Sequence, residues 1–326
     1  MRTSPPRTFD IEQRYPTLAN WRRTATRLHP RPGDPGVQDS SIGGPLLWPS
    51  GEEWPVCTAE DHYGDDKAAM ATVAHTRSQR LLYETRNRLR GLREDTTEVS
   101  AQLEAERLAD RAVVDRPRGT RPFIGVAQLY VRDVPHLRHP EGADLLQVLW
   151  CPHMHEEAEY LPRVRLVWRD SAAVTETVDD PSPQVVAGDE GFVPEICVVH
   201  PEELVEYPPT HCAGLELPAD VVDYDDREAL ATGWKVGGWG DYCGVVDPMV
   251  PDCECGATTE AFLTVGNGEW STDDGRWRPL EDAEFTPTLW HPTDWDPVQT
   301  YVGRGYIMQL FQCAKGFDCP VTTRMT

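Results

Sequence analysis

The sequence lacks long apolar segments and the short motifs of common enzyme classes. No run of about 18 apolar residues occurs in the 326-residue chain, so no membrane-spanning helix is expected. The N-terminus, M-R-T-S-P-P-R-T-F-D, has no apolar h-region, so we do not expect a signal peptide. The chain has no P-loop, no G-x-G-x-x-G after a strand, no G-x-S-x-G and no H-E-x-x-H. These absences favour a cytoplasmic protein and give an enzyme no positive support.

Positive charge is also scarce, with 31 Lys and Arg against 54 Asp and Glu and a formal net charge of -23. Such a surface repels phosphate backbones, so direct nucleic-acid binding is not expected. It suits a basic partner, with plain solubility as the alternative explanation. The first 34 residues have the opposite balance, with seven Arg and three acidic residues. This basic arm either packs on the acidic body or reaches a separate partner.

Proline and glycine are plentiful, at 29 and 25, and there are 11 Trp and 10 Tyr. This composition favours short strands and turns over a few long helices. Strand candidates are 123–131, 145–151, 163–169 and 193–199.

Two regions have helical patterns. Residues 15–28 have apolar side chains at helical spacing, which predicts an N-terminal helix. Residues 66–112 contain no Pro and only one Gly, and they pair Glu with Arg at i,i+4 offsets. They predict one or two exposed helices, or a helical hairpin, without chemistry of their own.

Two segments resemble each other: L-L-Q-V-L-W-C at 145–151 and I-M-Q-L-F-Q-C at 307–313. Each follows a Gly-Gly opening, at 41–45 and at 235–239, and then a Cys-bearing turn and an apolar strand. This shared order predicts a duplication. The predicted fold is α+β and β-rich, with two related antiparallel β-sheet halves, an N-terminal helix and a helical insertion. The predicted domains are an N-terminal arm and helix at 1–40, a first half at 41–220 with the insertion at 62–118, and a second half at 221–326.

Four cysteines of the second half form two close pairs. Cys253 and Cys255 lie in C-x-C-G, and Cys313 and Cys319 follow a predicted strand. Two thiolate pairs at turns can supply the four ligands of a tetrahedral zinc site, and a full thiolate shell leaves no open position. The sequence therefore predicts a structural zinc ion here. Buried free thiols or a disulfide are the alternatives.

The first half offers Cys57, and then Cys151, His153 and His155 in C-P-H-M-H. These residues form a possible second metal site, or else a decayed site with ordinary core cysteines. Three protein ligands and a water molecule would be the catalytic arrangement. A metal-dependent enzyme using this site of cysteines and histidines is therefore the alternative function.

Seven motifs together resemble the YwqG-like family, a bacterial domain of unknown function. They are S-S-I-G-G-P-L-L-W-P, W-P-V-C, G-V-A-Q-L, L-L-Q-V-L-W-C-P-H-M-H, P-E-E-L-V-E-Y-P, K-V-G-G-W and C-E-C-G. The resemblance runs from about residue 10 to the end, and the helical insertion is the main departure. The family is distantly similar to eukaryotic programmed cell death protein 2, a cytoplasmic protein that chaperones a small-subunit ribosomal protein. Its bacterial members are linked by gene neighbourhood to toxin and immunity systems.

The resemblance implies a duplicated, β-rich, peptide-binding module, either chaperone-like or immunity-like. Edge strands would bind an extended peptide backbone, and carboxylates would favour Lys and Arg. The Gly-Gly turns form either the floor of a groove or simply two tight turns. We therefore predict a non-enzymatic module that binds a basic protein or peptide. Its expected groove residues are Gly43, Gly44, Trp48, Trp54, Gly237, Gly238 and Trp239.

Overall fold

The computed structural model describes most of the chain. The described residues are 2–59, 62, 71–111, 121–178, 182–210, 217, 221, 224, 226–240, 250–270, 275–283, 295–302 and 305–326. None of the helices among these residues is both long and apolar enough to cross a membrane.

The architecture is mixed α+β and rich in antiparallel strands, as the composition predicted. The helices are α1 (Ile11–Arg14), α2 (Val73–Leu92), α3 (Thr97–Arg111) and α4 (Asp226–Ala229). The strands are β1 (Arg23–Arg27), β2 (Arg31–Pro32), β3 (Ser41–Ile42), β4 (Val56–Cys57), β5 (Arg121–Pro122), β6 (Ile124–Tyr130), β7 (Leu145–Trp150), β8 (Val164–Arg169), β9 (Cys197–Val198), β10 (Glu202–Glu206), β11 (Lys235–Gly237), β12 (Thr259–Val265), β13 (Met308–Cys313) and β14 (Thr322–Met325).

The strands form two six-stranded sheets, and β4 and β5 form a separate two-stranded sheet. The first sheet has the order β2-β9-β3-β6-β7-β8, and the second sheet has the order β10-β1-β11-β12-β13-β14. All neighbouring strands are antiparallel. The strand β1 comes from the N-terminal region and lies in the second sheet. The strand β9 follows β8 in the sequence and lies in the first sheet.

Each six-stranded sheet has its own central strand pair, β6–β7 or β12–β13, and each pair contains a β-bulge. In β6 the register shifts between Gly125 and Ala127, and in β12 it shifts between Ala261 and Leu263. In both strands, the residue two positions after the bulge pairs with a buried glutamine of the next strand. These shared features support the predicted duplication, which itself stays a prediction.

One hydrophobic core lies between the two sheets. It takes Leu146, Val148 and Trp150 from β7 and Met308 and Leu310 from β13, all fully buried. Because side chains alternate along a strand, the intervening residues of β7 and β13 point to the outer faces. Those outer faces are covered as well, since every residue of both strands is buried.

The helical insertion is a hairpin of α2 and α3, as the residue pattern predicted. Thr72 caps α2 by accepting a hydrogen bond from the backbone N–H of His75, and Arg93 ends it in the left-handed region with a φ of 60°. Two arginines of α2 connect the hairpin to the body: Arg77 donates to the carbonyls of Gly43 and Pro194, and Arg80 donates to that of Val193.

The single helix expected over 15–28 is wrong. The chain forms α1 and then a short 3-10 helix at Pro16–Trp21, and from Arg23 to Arg27 it forms the strand β1. Thr24 and Thr26 are β-branched, and β1 pairs on both sides, with β10 and β11. Pairing with two strands therefore outweighs the helical spacing of the apolar residues.

Candidate metal centres and peptide site

The structure brings together Cys253, Cys255, Cys313 and Cys319 of the second half, and we call them the four-cysteine cluster. The four sulfur atoms lie within 4.8 Å of one another. The Sγ of Cys255 is 3.4 Å from that of Cys253 and 3.7 Å from that of Cys313. A tetrahedral zinc ion with Zn–S bonds of about 2.3 Å separates its sulfur ligands by about 3.8 Å. The sulfur atoms therefore already stand close to the spacing that zinc requires.

A tight turn and a strand end position these cysteines. The backbone N–H of Cys253 donates to the carbonyl of Ala257, and that of Gly256 donates back to Cys253. Gly256 has a φ of 75°, where a side chain would strain the turn. Cys313 is the last residue of β13, and Cys319 lies in the loop before β14. Cys253 and Cys313 are buried, whereas Cys255 is exposed.

Four thiols this close do not all ionise without a cation. The backbone N–H of Ala257, together with the thiols of Cys253 and Cys313, lowers the pKa of Cys255 to about 7. Hydrogen bonds to Cys253, Cys255 and Cys313 raise the pKa of Cys319 to about 12. A divalent metal ion would offset the repulsion and let all four sulfurs act as thiolates.

A second cluster lies at the end of the first sheet, and we call it the mixed cluster. It consists of Cys57, His62, Cys151 and His155, all buried, with one ligand atom of each within 4.8 Å of the others. The Sγ of Cys57 is 3.9 Å from Nε2 of His155. Three of the four residues predicted for a first-half site are therefore together.

His62 takes the place that the sequence analysis gave to His153. His153 is fully buried, and its ring centroid lies 5.0 Å from that of His62 in an edge-to-face contact. A Cβ on Gly188 would come within 2.1 Å of Nδ1 of His153, so only glycine fits beside this ring. The ring of His153 therefore packs against the ring of His62. The spacing from Cys57 to His62 was the available signal, but the segment was interpreted as an insertion without chemistry.

The two thiols of the mixed cluster differ in protonation. The pKa of Cys57 lies far below its usual range because the thiol of Cys151 donates a hydrogen bond to it, with His155 adding to the effect. Burial, and then the same hydrogen bond, raises the pKa of Cys151. Among the described residues, neither ring nitrogen of His62 makes a hydrogen bond of normal geometry, although His62 lies close enough to Cys57 to add to the lowering of its pKa.

The residues predicted to line one groove require a correction. Trp48 is 1% exposed and Trp239 is 4% exposed, and they cover the outer faces of different sheets. Trp48 packs on Trp54, whose ring centroid is 4.9 Å away. The two tryptophans therefore offer no aromatic face to a partner, and the seven residues do not form one surface.

The Gly-Gly pairs form tight turns, which was the alternative interpretation. Gly43 has a φ of 67°, and a Cβ there would lie 2.4 Å from the carbonyl oxygen of Glu195. Gly238 has a φ of 74° and faces the buried carboxylate of Glu206, which also accepts from the backbone N–H of Trp239. Both turns let the backbone pass close to buried groups. The other residues expected in the groove are Gly44, buried, and Trp54 and Gly237, half-buried.

The basic N-terminal arm packs on the acidic body. Residues 2–8 run without helix or strand, and their N–H groups donate to carboxylates: that of Thr3 to Glu281 at 3.0 Å and that of Ser4 to Glu202 at 2.9 Å. Arg2 forms an ion pair with Asp282. We call the surface beneath residues 2–8 the arm seat; it comprises Glu202, Tyr207, Glu228, Trp277, Glu281 and Asp282.

Arg7 contacts two aromatic rings and two backbone carbonyl groups of the arm seat and its surroundings. Its guanidinium lies 5.5 Å from the ring centroid of Tyr207 and 5.7 Å from that of Trp277. Its Nε donates to the carbonyl of Glu228 at 2.7 Å, and it also donates to the carbonyl of Val205. Two aromatic rings and two carbonyl groups thus hold one arginine side chain.

Comparison with known proteins adds no relative: no protein-family model matches the chain, and a search of curated proteins finds no significant match. The resemblance to the YwqG-like family therefore stays a prediction.

Proposed function

We propose that this chain is a non-catalytic, cytoplasmic protein that binds a basic, extended protein segment, and that a structural zinc ion in the four-cysteine cluster stabilises its second sheet. The observation that carries this proposal is the arm seat, which holds residues 2–8, a basic segment of the chain itself without helix or strand. The resemblance to YwqG-like proteins adds a chaperone-like or immunity-like role for such binding.

The chemistry of the arm seat supports recognition of a backbone with arginines at fixed spacing. Carboxylates accept from the N–H groups of Thr3 and Ser4, so any extended backbone could make these contacts. Arg2 and Arg7 then add charge and cation–π contacts that only a basic side chain supplies. Pro5 and Pro6 keep the segment extended, which lowers the entropy lost on binding.

The coordination geometry supports a structural role for the metal. A catalytic zinc ion keeps one position for water or substrate, whereas four protein ligands close the site. The four-cysteine cluster offers four sulfurs. The second candidate function, a metal-dependent enzyme at the first-half site, needs an open position, but His62 supplies a fourth protein ligand there.

The test uses the full chain with a weakened arm and a labelled peptide that has the sequence of residues 1–10. In the Arg2→Ala/Arg7→Ala variant the arm loses its two charged contacts, so the peptide should bind in trans more tightly than to the unaltered chain. Raising salt should weaken this binding because the contacts are charged and partly exposed.

Two controls make this result specific. The Arg22→Ala variant removes an exposed arginine outside the arm seat, and its affinity for the peptide should match that of the unaltered chain. A peptide with alanine in place of both arginines should not bind the double variant. Equal peptide binding by the Arg2→Ala/Arg7→Ala and Arg22→Ala variants would overturn the peptide-binding proposal and leave the zinc proposal standing.

A further inference from the structure

The strand-end ligands of the two clusters occupy the same position in their sheets. Cys151 lies four residues after the buried Gln147 of β7, and Cys313 lies four residues after the buried Gln309 of β13. Each strand pairs with a strand that carries the bulge described above. A cysteine therefore occupies the corresponding position at the end of the second strand of each central strand pair.

The turn ligands correspond as well. Cys57 lies opposite Arg121, whereas the N–H of Cys253 bonds to the carbonyl of Ala257. Arg121 and Ala257 each precede the bulged residue of the following strand, β6 or β12, by five positions. The remaining ligands, His62 and Cys255, follow Cys57 and Cys253 in the sequence. Each sheet therefore has two donors before its central strand pair and two at or after the end of the second strand of that pair, β7 or β13.

The donors of the mixed cluster fit zinc. Two thiols and two imidazoles are a common structural zinc set, and a tetrahedral ion would separate sulfur from nitrogen by about 3.5 Å. The 3.9 Å between Cys57 and His155 needs only a small contraction. Buried polar atoms without partners are costly, and a metal ion would satisfy the ring of His62. All four residues are buried, which disfavours a water molecule as a further ligand.

We infer that Cys57, His62, Cys151 and His155 bind a second, structural zinc ion that fixes the start of the helical insertion to the first sheet. His62 lies between β4 and α2, so its bond to the metal would hold the segment that leads into the hairpin. This inference goes beyond the proposed function, since peptide binding at the arm seat does not depend on it.

Native mass spectrometry of the full chain, expressed with zinc, tests the inference. The unaltered protein should carry two zinc ions, and His62→Ala, His155→Ala and Cys253→Ser should each carry one. The combined His62→Ala/Cys253→Ser variant should carry none. One zinc ion in the unaltered protein, or two in His62→Ala, would overturn the inference.

Two further variants separate ligation from folding. His153→Ala changes the neighbouring buried histidine and should keep two zinc ions. His62→Cys supplies a thiolate where the four-cysteine cluster has Cys255, so it should restore the second zinc ion that His62→Ala loses. Hydrogen exchange in α2 should rise in His62→Ala but not in His62→Cys. Loss of a zinc ion in His153→Ala with retention in His62→Ala would overturn the ligand assignment.

Discussion

The two clusters differ in what the chain places between their ligands. In the second sheet a turn of about four residues connects Cys253 to Ala257, whereas roughly 64 residues and a helical hairpin separate Cys57 from Arg121. Closing a longer loop costs more conformational entropy. The long loop has contacts that offset this cost, through Arg77 and Arg80 of α2. A metal bond to His62 would add another.

The clusters also differ in exposure. All four ligands of the mixed cluster are buried, whereas Cys255 of the four-cysteine cluster is exposed. One position in the fold can therefore support a metal site open to solvent at one ligand, or one enclosed by the protein. The long insertion goes with the enclosed site and the short turn with the exposed one.

The largest effect should follow from Cys253→Ser, which removes a ligand and leaves three crowded sulfurs. Zinc binding to small structural sites contributes about 10–16 kcal/mol, so the free energy of unfolding should fall by about 5 kcal/mol or more. Chemical denaturation together with zinc analysis measures this.

Cys197→Ser is the matched control for that variant. Cys197 is buried but outside both clusters, and its thiol donates to the carbonyl of Pro297 at 3.3 Å. This variant should keep both zinc ions and cost about 1 kcal/mol. Equal costs for the two serine variants would remove the case for a stabilising metal in the second sheet.

Local sequence pattern predicted the elements whose signals are strong. The sequence predicted the central strands, the helical hairpin and the grouping of the four cysteines, because periodicity and close Cys pairs are local signals. His62 was missed because two of its partners, Cys151 and His155, are distant in sequence, and because the segment after Cys57 was assigned to the insertion. The strand β1 was missed because only pairing with β10 and β11 explains it.

Trp48 and Trp239 show a different limit. Segments rich in aromatic residues, Pro and Gly are common in binding loops, so exposure was expected. Here the segment after Gly44 covers the outer face of the first sheet: Gln128 accepts from the N–H of Leu47, and Gln147 donates to its carbonyl. In the first sheet Gln147 thus fixes a covering segment, a role that no sequence motif indicated.

The variants Trp48→Ala and Trp239→Ala test how much the tryptophan on the outer face of each sheet contributes to stability. Both side chains are buried, so each variant should lose about 3–5 kcal/mol of stability through the cavity it creates. When each variant is combined with Arg2→Ala/Arg7→Ala, peptide binding to the arm seat should remain at temperatures where the protein is folded. Selective loss of peptide binding with unchanged stability would instead restore the groove interpretation.

The two clusters should release zinc to a chelator at different rates. The exposed Cys255 gives a chelator access to the four-cysteine cluster, whereas the buried mixed cluster must first open locally. Zinc release, followed with a colorimetric chelator, should therefore show a fast half and a slow half. The fast half should be missing in Cys253→Ser, and a single phase for the unaltered protein would contradict the difference in exposure.

The smallest effect should come from His153→Ala. The ring of His153 packs beside His62 without being assigned as a ligand, so its loss should cost about 1–2 kcal/mol and leave the zinc count unchanged. Thermal denaturation and metal analysis of the purified variant provide both values. A cost as large as that of His62→Ala would place both histidines at the metal.

Zinc K-edge X-ray absorption of the unaltered protein tests the central claim most directly, because it counts the donor atoms around the metal. One site with four sulfur ligands and one with two sulfur and two nitrogen ligands give an average shell of about three sulfurs at 2.3 Å and one nitrogen at about 2.0 Å per zinc ion. That shell, with two zinc ions per chain, is the predicted result. A pure sulfur shell with one zinc ion would contradict the second site, and an oxygen ligand from water would contradict the claim that both sites are closed and structural.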